Sequence, residues 1–398
     1  MSSSIQERIV IIGGGIIGCT SAYYLTRHPR FATSNTHITL LEASTIAAGA
    51  SGKAGGLVAK WAYPPELTAV SFEEHKRLAA EHDGRERWGW REVACGQWEG
   101  CAHVDSSGDG ENDDAGLYSR SKVRAATGLP DDLDWIDETL TDAYKSMAGP
   151  GETAQVHPYE FTTSMLALAR DIAGERLEVI EGAKVVSISC VHPAEMGNGE
   201  KVVGVTYEPA GSHTVNIPAG SVLLAAGPWS PTLHPSLPIT STRAHSIVIE
   251  PAAPLSPYAL FTSIRSPDSK ASAGSPEIYA RPHNRVYVCG PGDNTPLPAL
   301  ASLVERSSTS IAALHAQVCS ISAPLRDGTV ELEQACYLPL GGPIIGAVNS
   351  IRGFIIATGH TCWGICNAPA TGKAVSELLM EGSLGEAWRL SKLEPRWF

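Results

Sequence analysis

Apolar and polar positions near the start of the chain follow the order strand, helix, strand. The β-branched run Ile9–Ile12 is continuous and apolar, which is typical of a strand buried on both faces of a parallel sheet. The next segment, "CTSAYYLTR", is rich in small residues and predicts a helix, and a second apolar run, "HITLL", ends at Leu41. We therefore expect a parallel-sheet unit in this part of the chain.

A different pattern occupies residues 236–332. Three strand-like runs, "RAHSIVIEP", "EIYARP" and "NRVYVCG", are separated by proline and glycine, and the last two predict a hairpin around "RPHN". The run "TSIAALHAQVCSI" predicts an amphipathic helix beside them. Alternate residues of a strand share a face, so Tyr279 lies with Arg281, and Arg243 with His245. These runs predict an antiparallel sheet that covers one side of the first unit.

Composition and charge narrow the class of protein. The chain has 398 residues, a net charge of −12 and a pI near 5.5, so it offers no basic face for nucleic acid or an anionic membrane. Its apolar runs are too short to span a bilayer, its first residues lack a signal-peptide pattern, and the tripeptide Ser-Lys-Leu is internal rather than C-terminal. The nine scattered cysteines are typical of reduced thiols. We expect a cytoplasmic protein with no nucleic-acid partner and no membrane span.

The first strand leads directly into a G-x-G-x-x-G motif made of Gly13, Gly15 and Gly18. In a dinucleotide-binding unit the first glycine makes the tight turn, the second lets the backbone approach a pyrophosphate, and the third lets the helix pack on the sheet. The helix start at Ile16 and Ile17 would supply free N–H groups and a positive dipole end.

An acidic residue, Glu42, ends the second strand at the place where a ribose-binding carboxylate belongs. With Ala43 and Ser44 it is predicted to hold the ribose, and a carboxylate there disfavours the 2′-phosphate of NADP. The alternative is a strand–loop–helix unit in which the glutamate is incidental.

A second glycine-rich segment favours a flavin over NAD. Between Ala50 and Leu57 the chain reads "ASGKAGGL", where a plain NAD domain would continue with another helix and strand. The glycines would let the backbone approach a long cofactor, and two polar side chains could reach phosphate or ribityl oxygens. The predicted contacts are Ala50, Ser51, Gly52, Lys53, Gly55, Gly56 and Leu57. A flexible surface loop is the structural alternative, and an NAD-linked dehydrogenase is the functional one.

With these elements the sequence resembles the FAD-dependent oxidoreductases of the D-amino-acid-oxidase superfamily. That superfamily includes glycine oxidase, sarcosine oxidase and a fungal and plant branch of unassigned substrate. Three later segments carry the resemblance: "LEVIEGAKVVSISC", "SVLLAAGPWSPTL" and the stretch from Gly359 to Gly372. The further FAD contacts that it implies are Val185, Val186, Ala226, Gly227, Trp229, Gly359, His360, Trp363, Gly364 and Ile365.

The resemblance implies an α/β fold with a discontinuous Rossmann-like FAD-binding domain of the glutathione-reductase-like family. Residues 5–80, 148–232 and 333–398 would form that domain, and residues 81–147 and 233–332 an interleaved substrate domain on an antiparallel or mixed sheet. The acidic, glycine-rich stretch Ser106–Gly116 is expected to be an exposed excursion.

The same resemblance implies hydride transfer from the carbon beside an amine to flavin N5, hydrolysis of the resulting imine, and reoxidation by O2 to give H2O2. The partners would then be a small amine or amino acid and O2. Residues of this kind of site orient the substrate rather than act as strong bases, so no catalytic residue is assigned. A dehydrogenase with another electron acceptor and a flavoprotein scaffold without activity remain open.

Four residues are candidates for substrate binding: Lys60, Tyr279, Arg281 and Trp363. Arg281 could hold a substrate carboxylate through its bidentate fork, or it could pin strands together. Sarcosine-oxidase-like enzymes also carry a lysine after the C-terminal glycine-histidine element, where this chain has Cys366 and Asn367. That departure weakens the case for a simple N-methyl amino acid.

Cysteines near the C-terminal end admit two further readings. Cys336, just before Tyr337, could link covalently to the flavin as in sarcosine-oxidase-like enzymes, or it could be a small core residue. His360, Cys362 and Cys366 offer too few clustered ligands for a zinc site, so no metal is expected.

Overall fold

The computed structural model describes residues 7–103, 116–193, 199–267, 271–386 and 388–395. Most of the acidic stretch 106–116 lies outside these ranges. Within them the strands are β1 Arg8–Ile12, β2 His37–Leu41, β3 Leu57–Ala59, β4 Arg91–Glu92, β5 Ala94–Cys101, β6 Thr141–Ser146, β7 Thr153–Gln155, β8 Leu177–Ile180, β9 Ala183–Val191, β10 Glu200–Pro209, β11 Val215–Pro218, β12 Ser221–Leu224, β13 Thr240–Glu250, β14 Tyr258–Arg265, β15 Ser272–Gly274, β16 Glu277–Arg281, β17 Arg285–Cys289, β18 Thr329–Leu340, β19 Ile344–Ala347, β20 Ile351–Arg352 and β21 Phe354–Thr358.

The α-helices of the same ranges are of very different lengths. They are α1 Ile16–Arg27, α2 Pro29–Thr33, α3 Ala50–Lys53, α4 Pro65–Glu81, α5 Gly84–Trp88, α6 Gly116–Thr127, α7 Pro158–Ala173, α8 Ser230–Leu233, α9 Ser308–Cys319, α10 Ala323–Arg326 and α11 Gly364–Glu381. Among the long ones, α1, α7 and α11 pack in the core of the parallel-sheet half and α9 packs on another sheet; the shortest are single turns in connections.

A six-stranded sheet in the order β19-β21-β12-β1-β2-β8 forms the centre of the cofactor half. All its pairings are parallel except that of the edge strand β19. Side chains of β1 alternate between two cores: Ile9 and Ile11 pack toward the helices, and Val10 and Ile12 toward the sheet of β9 and β10. Burial on both faces explains the continuous apolar run, so the predicted Rossmann-like arrangement is confirmed.

A second large sheet, called the roof sheet here, has the order β18-β13-β17-β16-β14-β5-β6, with β15 paired to β14. The predicted hairpin is present, since β16 pairs antiparallel with β17. The outer face of the roof sheet packs on α9, the predicted amphipathic helix, through residues such as Ile278 and Leu314. Its inner face carries Tyr279, whose ring contacts Gly55 in the cofactor half.

Several sequence expectations need adjustment. The glycine-rich segment Ala50–Leu57 forms the turn α3 and the start of β3, so it is ordered structure rather than a free surface loop. The two strands in "LEVIEGAKVVSISC" belong to different sheets, because β8 pairs with β2 and β9 with β10. The domain limits remain a prediction; β18, which starts at Thr329 in the roof sheet, crosses the expected limit at residue 333.

No helix in the described ranges is both long and apolar enough to cross a membrane.

Candidate FAD and substrate site

A cavity of about 410 Å³ opens at the carboxyl ends of the central strands, where Ile12, Leu41 and Thr358 line its wall. This is the edge at which parallel α/β sheets bind ligands, because the chain leaves neighbouring strands in opposite directions there. The predicted cofactor residues that line this main cavity are Gly13, Gly15, Ile16, Ile17, Glu42, Ala43, Ala50, Ser51, Val185, Ala226, Gly227, Trp229, Gly359, His360, Gly364 and Ile365.

The first glycine turn is built by close backbone contacts. Gly13 has φ of +112°, a conformation that other residues rarely adopt, and a side chain at Gly18 would collide with the Gly13 carbonyl. The amide of Ile16, in the first turn of α1, donates to Ser51 Oγ over 2.9 Å. This bond ties the first glycine turn to α3, so both glycine-rich segments line one wall of the main cavity.

Glu42 organises the turn from the other side. Its Oε2 accepts a hydrogen bond from Gly14 N and its Oε1 one from Ser44 N, both at 2.8 Å. Burial raises the pKa of the carboxyl, and the amides of Ser44 and Gly14 offset part of that shift by stabilising the anion. Each oxygen has a second lone pair, so the carboxylate can still accept from ligand hydroxyl groups. Ser44 itself contacts Glu42 without lining the main cavity.

The far wall comes from later parts of the chain. Val185 lines the main cavity, whereas Val186 alternates away from it and is 36% exposed. Trp229 also lines it, and its Nε1 donates to the Pro298 carbonyl over 2.7 Å. That bond holds the segment Leu297–Ala301, which lines the cavity although nothing in its sequence indicated a role.

The three possible metal ligands after β21, which are His360, Cys362 and Cys366, have different contacts and do not form one site. His360 Nε2 lies 3.0 Å from Thr371 Oγ1 on α11, and burial lowers the pKa of its imidazole to about 3. Cys366 Sγ contacts Ala59, and Cys362 lines the main cavity near Tyr63. Within the described ranges no group of three or more His, Cys, Asp or Glu side chains could hold a metal ion.

Two of the substrate candidates are cations that already have partners. Lys60 Nζ lies 3.2 Å from Glu73 Oε1 and does not line the main cavity. Arg281 donates to the carbonyls of Ala54 and Gly55, and its guanidinium lies over the ring of Tyr287. Burial lowers the pKa of Arg281 to about 10, so it stays charged at neutral pH. These contacts agree with the hypothesis that Arg281 joins structural elements rather than holding a substrate carboxylate.

The two aromatic candidates meet other rings. Trp363 packs edge-on against Trp61, with centroids 5.5 Å apart, and against Tyr63 at 5.9 Å. Phe261 of the roof sheet reaches Trp61 at 6.0 Å and Tyr279 at 6.1 Å. We call Trp61, Tyr63, Phe261 and Trp363 the aromatic cluster. It adjoins the main cavity, because Trp363 directly follows Cys362.

Lys53 and Cys336, a residue of strand β18 in the roof sheet, lie close together but do not line the main cavity. Lys53 Nζ donates to Ala335 O over 3.0 Å, and burial lowers its pKa. Cys336 is 6% exposed, and burial raises the pKa of its thiol to about 11, against the opposing effect of the Lys53 charge. Five other predicted cofactor contacts do not line the main cavity: Gly18, Gly52, Gly55, Gly56 and Leu57.

Comparison with known proteins defines the family. The family described as "FAD dependent oxidoreductase", DAO, matches residues 8–378. The chain belongs to the DAO family of FAD-dependent oxidoreductases. The predicted family, fold class and cofactor are therefore confirmed, and the NAD-linked alternative is set aside.

Individual relatives agree with the DAO assignment. The Saccharomyces cerevisiae protein TDA3 is 32% identical over 501 aligned positions, covering 99% of this chain and 95% of the yeast protein. A crystal structure of glycine oxidase from Bacillus cereus has a TM-score of 0.68 at 20% identity, covering 95% of this chain and 98% of the other. L-proline dehydrogenase from P. horikoshii has a TM-score of 0.69 at 16% identity, covering 98% and 97%. At these identities the crystal structures show the shared fold.

The residues of the main cavity fit FAD. The Ile16 amide, predicted to be free, is bonded to Ser51 Oγ, so the Ile17 amide and the positive end of α1 are left to hold a pyrophosphate. The Glu42 carboxylate can accept from ribose hydroxyls. The first turn of α11, at Gly364 and Ile365, lines the same cavity and presents a second helix N-terminus to it. A long cofactor with a pyrophosphate in its middle and hydroxyl groups on either side matches these donors and acceptors.

Sequence reasoning missed one charged residue on the inner face of the roof sheet. Glu277 shares strand parity with Tyr279 and Arg281, both of which were singled out. That parity was the available signal, but the partners of Glu277 come from distant segments that no local pattern joins.

Proposed function

We propose that this protein oxidises the C–N bond of an amine or amino acid by hydride transfer to FAD, with O2 as the final electron acceptor and H2O2 as product. The family and its FAD cofactor indicate that the reaction is an oxidation or reduction of a substrate. Two proteins of the same fold are named glycine oxidase and L-proline dehydrogenase, so both act on amino acids. An amine or amino acid is the substrate class that these likenesses support.

When bound, FAD supplies a hydride acceptor that can pass electrons on. The residues of this chain would hold and orient it: Glu42 at the ribose, the first turn of α1 at the pyrophosphate, and the first turn of α11 at the other end. A helix N-terminus at that end stabilises negative charge, which favours the reduced cofactor.

One observation carries the proposal for the substrate. The main cavity reaches Cys362, and beyond that residue the inner face of the roof sheet and the aromatic cluster come together. Such a wall excludes water and aligns a small organic molecule, and alignment is what hydride transfer mainly needs. His360 beside it stays neutral at physiological pH and so acts as a packing group, not as an acid.

The test is a spectrum of the purified, FAD-loaded protein under anaerobic conditions with panels of amines and amino acids. We expect at least one compound to bleach the flavin absorbance, and admission of air to restore it with release of H2O2. Bleaching without recovery in air would replace the oxidase by a dehydrogenase with another acceptor. If every compound leaves a flavin that dithionite can still bleach, the protein is a scaffold without this activity and the proposal fails.

Acid precipitation of the same protein tests the covalent link. The Cys336 thiol is buried beside Lys53 and carries a raised pKa, so little thiolate is present to attack the flavin. We expect all of the yellow colour in the supernatant. Colour that stays with the pellet, and leaves it in Cys336→Ser, would establish the link instead.

A further inference from the structure

Glu277 lies at the start of β16 on the inner face of the roof sheet. In register beside it are Phe261 on β14 and Cys289 on β17. Tyr279, two residues along the same strand, has the same orientation and contacts Gly55 of the cofactor half. The carboxylate therefore points from the roof sheet toward the FAD-binding half of the molecule.

The hydrogen bonds of Glu277 all reach one of its two oxygens. Oε2 accepts from Tyr279 Oη and, over 3.8 Å, from Cys289 Sγ. Among the described residues, no group donates a hydrogen bond to Oε1, and no lysine, arginine or histidine forms an ion pair with the carboxylate. Burial raises the pKa of Glu277, and the two hydrogen bonds offset only part of this shift. Glu277 is partly buried, and a partly buried carboxylate without a counter-ion is disfavoured, a cost that a cationic ligand would reduce.

The aromatic cluster links Glu277 to the main cavity. Phe261, the register neighbour of Glu277, contacts Trp61, which contacts Trp363 next to the cavity residue Cys362. Burial raises the pKa of the Cys362 thiol, and the negative charge of Glu277 raises it further. The faces of tryptophan, tyrosine and phenylalanine rings attract cations. The aromatic cluster and the Glu277 carboxylate therefore both favour a positively charged ligand.

An anionic group would find no such partner here. Described cations of the neighbouring segments have partners. Lys53 donates to the Ala335 carbonyl, Arg281 to the carbonyls of Ala54 and Gly55, and Arg91 to the Ala280 carbonyl of β16, and Lys60 pairs with Glu73. A substrate carboxylate beside the aromatic cluster would therefore meet Glu277 without a compensating guanidinium. An ammonium group without a neighbouring carboxylate matches the charges present.

We propose that Glu277 binds the protonated nitrogen of the substrate through Oε1, and that the substrate is a carboxylate-free amine rather than an amino acid. This rests on the proposed function, which it narrows to one substrate class. The contact is a charge-assisted hydrogen bond, which is stronger than one between neutral groups.

Binding to the FAD-loaded protein with its flavin pre-reduced anaerobically tests this assignment, because no turnover occurs in that state. Benzylamine is the cationic probe, and phenylglycine is the same molecule with an added carboxylate. By calorimetry we expect benzylamine to bind at least about tenfold more tightly, and Glu277→Gln to weaken it about 10- to 100-fold. Glu277→Asp, which keeps the charge on a shorter arm, should retain part of the affinity. Glu99→Gln, an exposed position on β5 of the same sheet, should bind as the unaltered protein does.

Lowering the pH gives a second readout. Benzylamine stays protonated from about pH 8 to about pH 5. Tyr279 on the same strand, and Cys289, Cys95 and Cys362 on neighbouring elements, all have pKa values raised above their ordinary ones. Protonation of Glu277 should therefore weaken binding as the pH falls, and Glu277→Gln should abolish this dependence. Equal affinity for phenylglycine, or equal binding by a folded Glu277→Gln protein, would overturn the inference. The proposed function fails separately, if no amine or amino acid bleaches the oxidised flavin.

Discussion

At the scale of single residues, Glu42 connects the first glycine turn to the end of the second strand. One carboxylate oxygen accepts a hydrogen bond from the Gly14 amide, and the other accepts one from the Ser44 amide. Without this carboxylate both amides would lose their acceptor, next to the place where the ribose is expected. One side chain thus shapes the turn and offers acceptors to the cofactor.

Glu42→Gln should weaken FAD binding. A glutamine has one acceptor oxygen, and its NH2 group would face one of the two backbone N–H groups, so one charge-assisted bond is lost and a donor is left unpaired. We expect the dissociation constant of FAD to rise about tenfold or more, measured by titrating apoprotein with FAD and following flavin fluorescence.

Glu178→Gln is the matched control, since Glu178 is an exposed carboxylate on the neighbouring strand β8. It should bind FAD as the unaltered protein does. An unchanged dissociation constant in a folded Glu42→Gln protein would mean that the glutamate does not hold the cofactor.

At the scale of elements, the hairpin of β16 and β17 is joined to the segment between α3 and β3. Arg281 donates to the carbonyls of Ala54 and Gly55, and the Tyr279 ring contacts Gly55. The guanidinium lies over the ring of Tyr287, which stacks on Tyr279 with centroids 5.9 Å apart, so the contact is both polar and apolar. The glycine segment is held by the roof sheet as well as by its own half of the molecule.

Arg281→Lys should loosen this junction. A lysine keeps the charge but loses the planar fork, so we expect the free energy of unfolding to fall by about 1–3 kcal/mol, measured by denaturant titration. Because Arg281 acts as a pin, the ratio of kcat/KM for carboxylate-free and carboxylate-bearing substrates should not change.

Arg285→Lys provides the comparison within the same hairpin, where Arg285 forms partly exposed ion pairs with Glu250 and Glu331. Such pairs contribute little, so its stability should change far less. A selective loss of activity toward carboxylate-bearing substrates in Arg281→Lys would show that the arginine binds the substrate after all.

At the scale of the whole molecule, buried neutral histidines connect different layers. His75 on α4 lies 3.0 Å from the Ile365 carbonyl on α11, and His360 lies against Thr371. Burial lowers the pKa of His75 to about 4 and that of His360 to about 3. Both sites exclude the charged imidazolium from the folded protein.

Acidification should therefore destabilise the fold. Below about pH 6.5 the unfolded chain takes up protons at these histidines and the folded chain does not, so stability is lost as the pH falls toward the folded pKa values. Each histidine contributes up to about 1.4 kcal/mol per pH unit, measured by denaturant unfolding between about pH 7 and about pH 5.

His360→Gln isolates one site, because the glutamine amide can still reach Thr371 but cannot titrate. Its stability should depend on pH less steeply, by about one proton, than that of the unaltered protein. His213→Gln, at an exposed position, should leave the slope unchanged. Identical slopes for all three proteins would refute the account.

Much of the cofactor half followed from the sequence, for a local reason. The β-branched run, the spaced glycines and the acid after Leu41 act over a few neighbouring residues, and each has few structural solutions. The glycines of the C-terminal stretch, Gly359 and Gly364, likewise indicated a backbone turn, and both line the main cavity. By contrast, strand parity placed Tyr279 and Arg281 on one face without saying what that face would meet.

The sequence by itself determined the Rossmann-like unit, the use of FAD and the family, because those depend on local spacing and on matched segments in order. Only the tertiary structure decided that Arg281 and Lys60 are engaged elsewhere, and that Glu277 stands near Trp61 and Cys362. These residues come from three separate parts of the chain, and the pairing of distant surfaces is set by packing across sheets. The pattern of apolar and polar residues within one segment does not indicate which charged side chain of a distant segment will lie beside it in the folded protein.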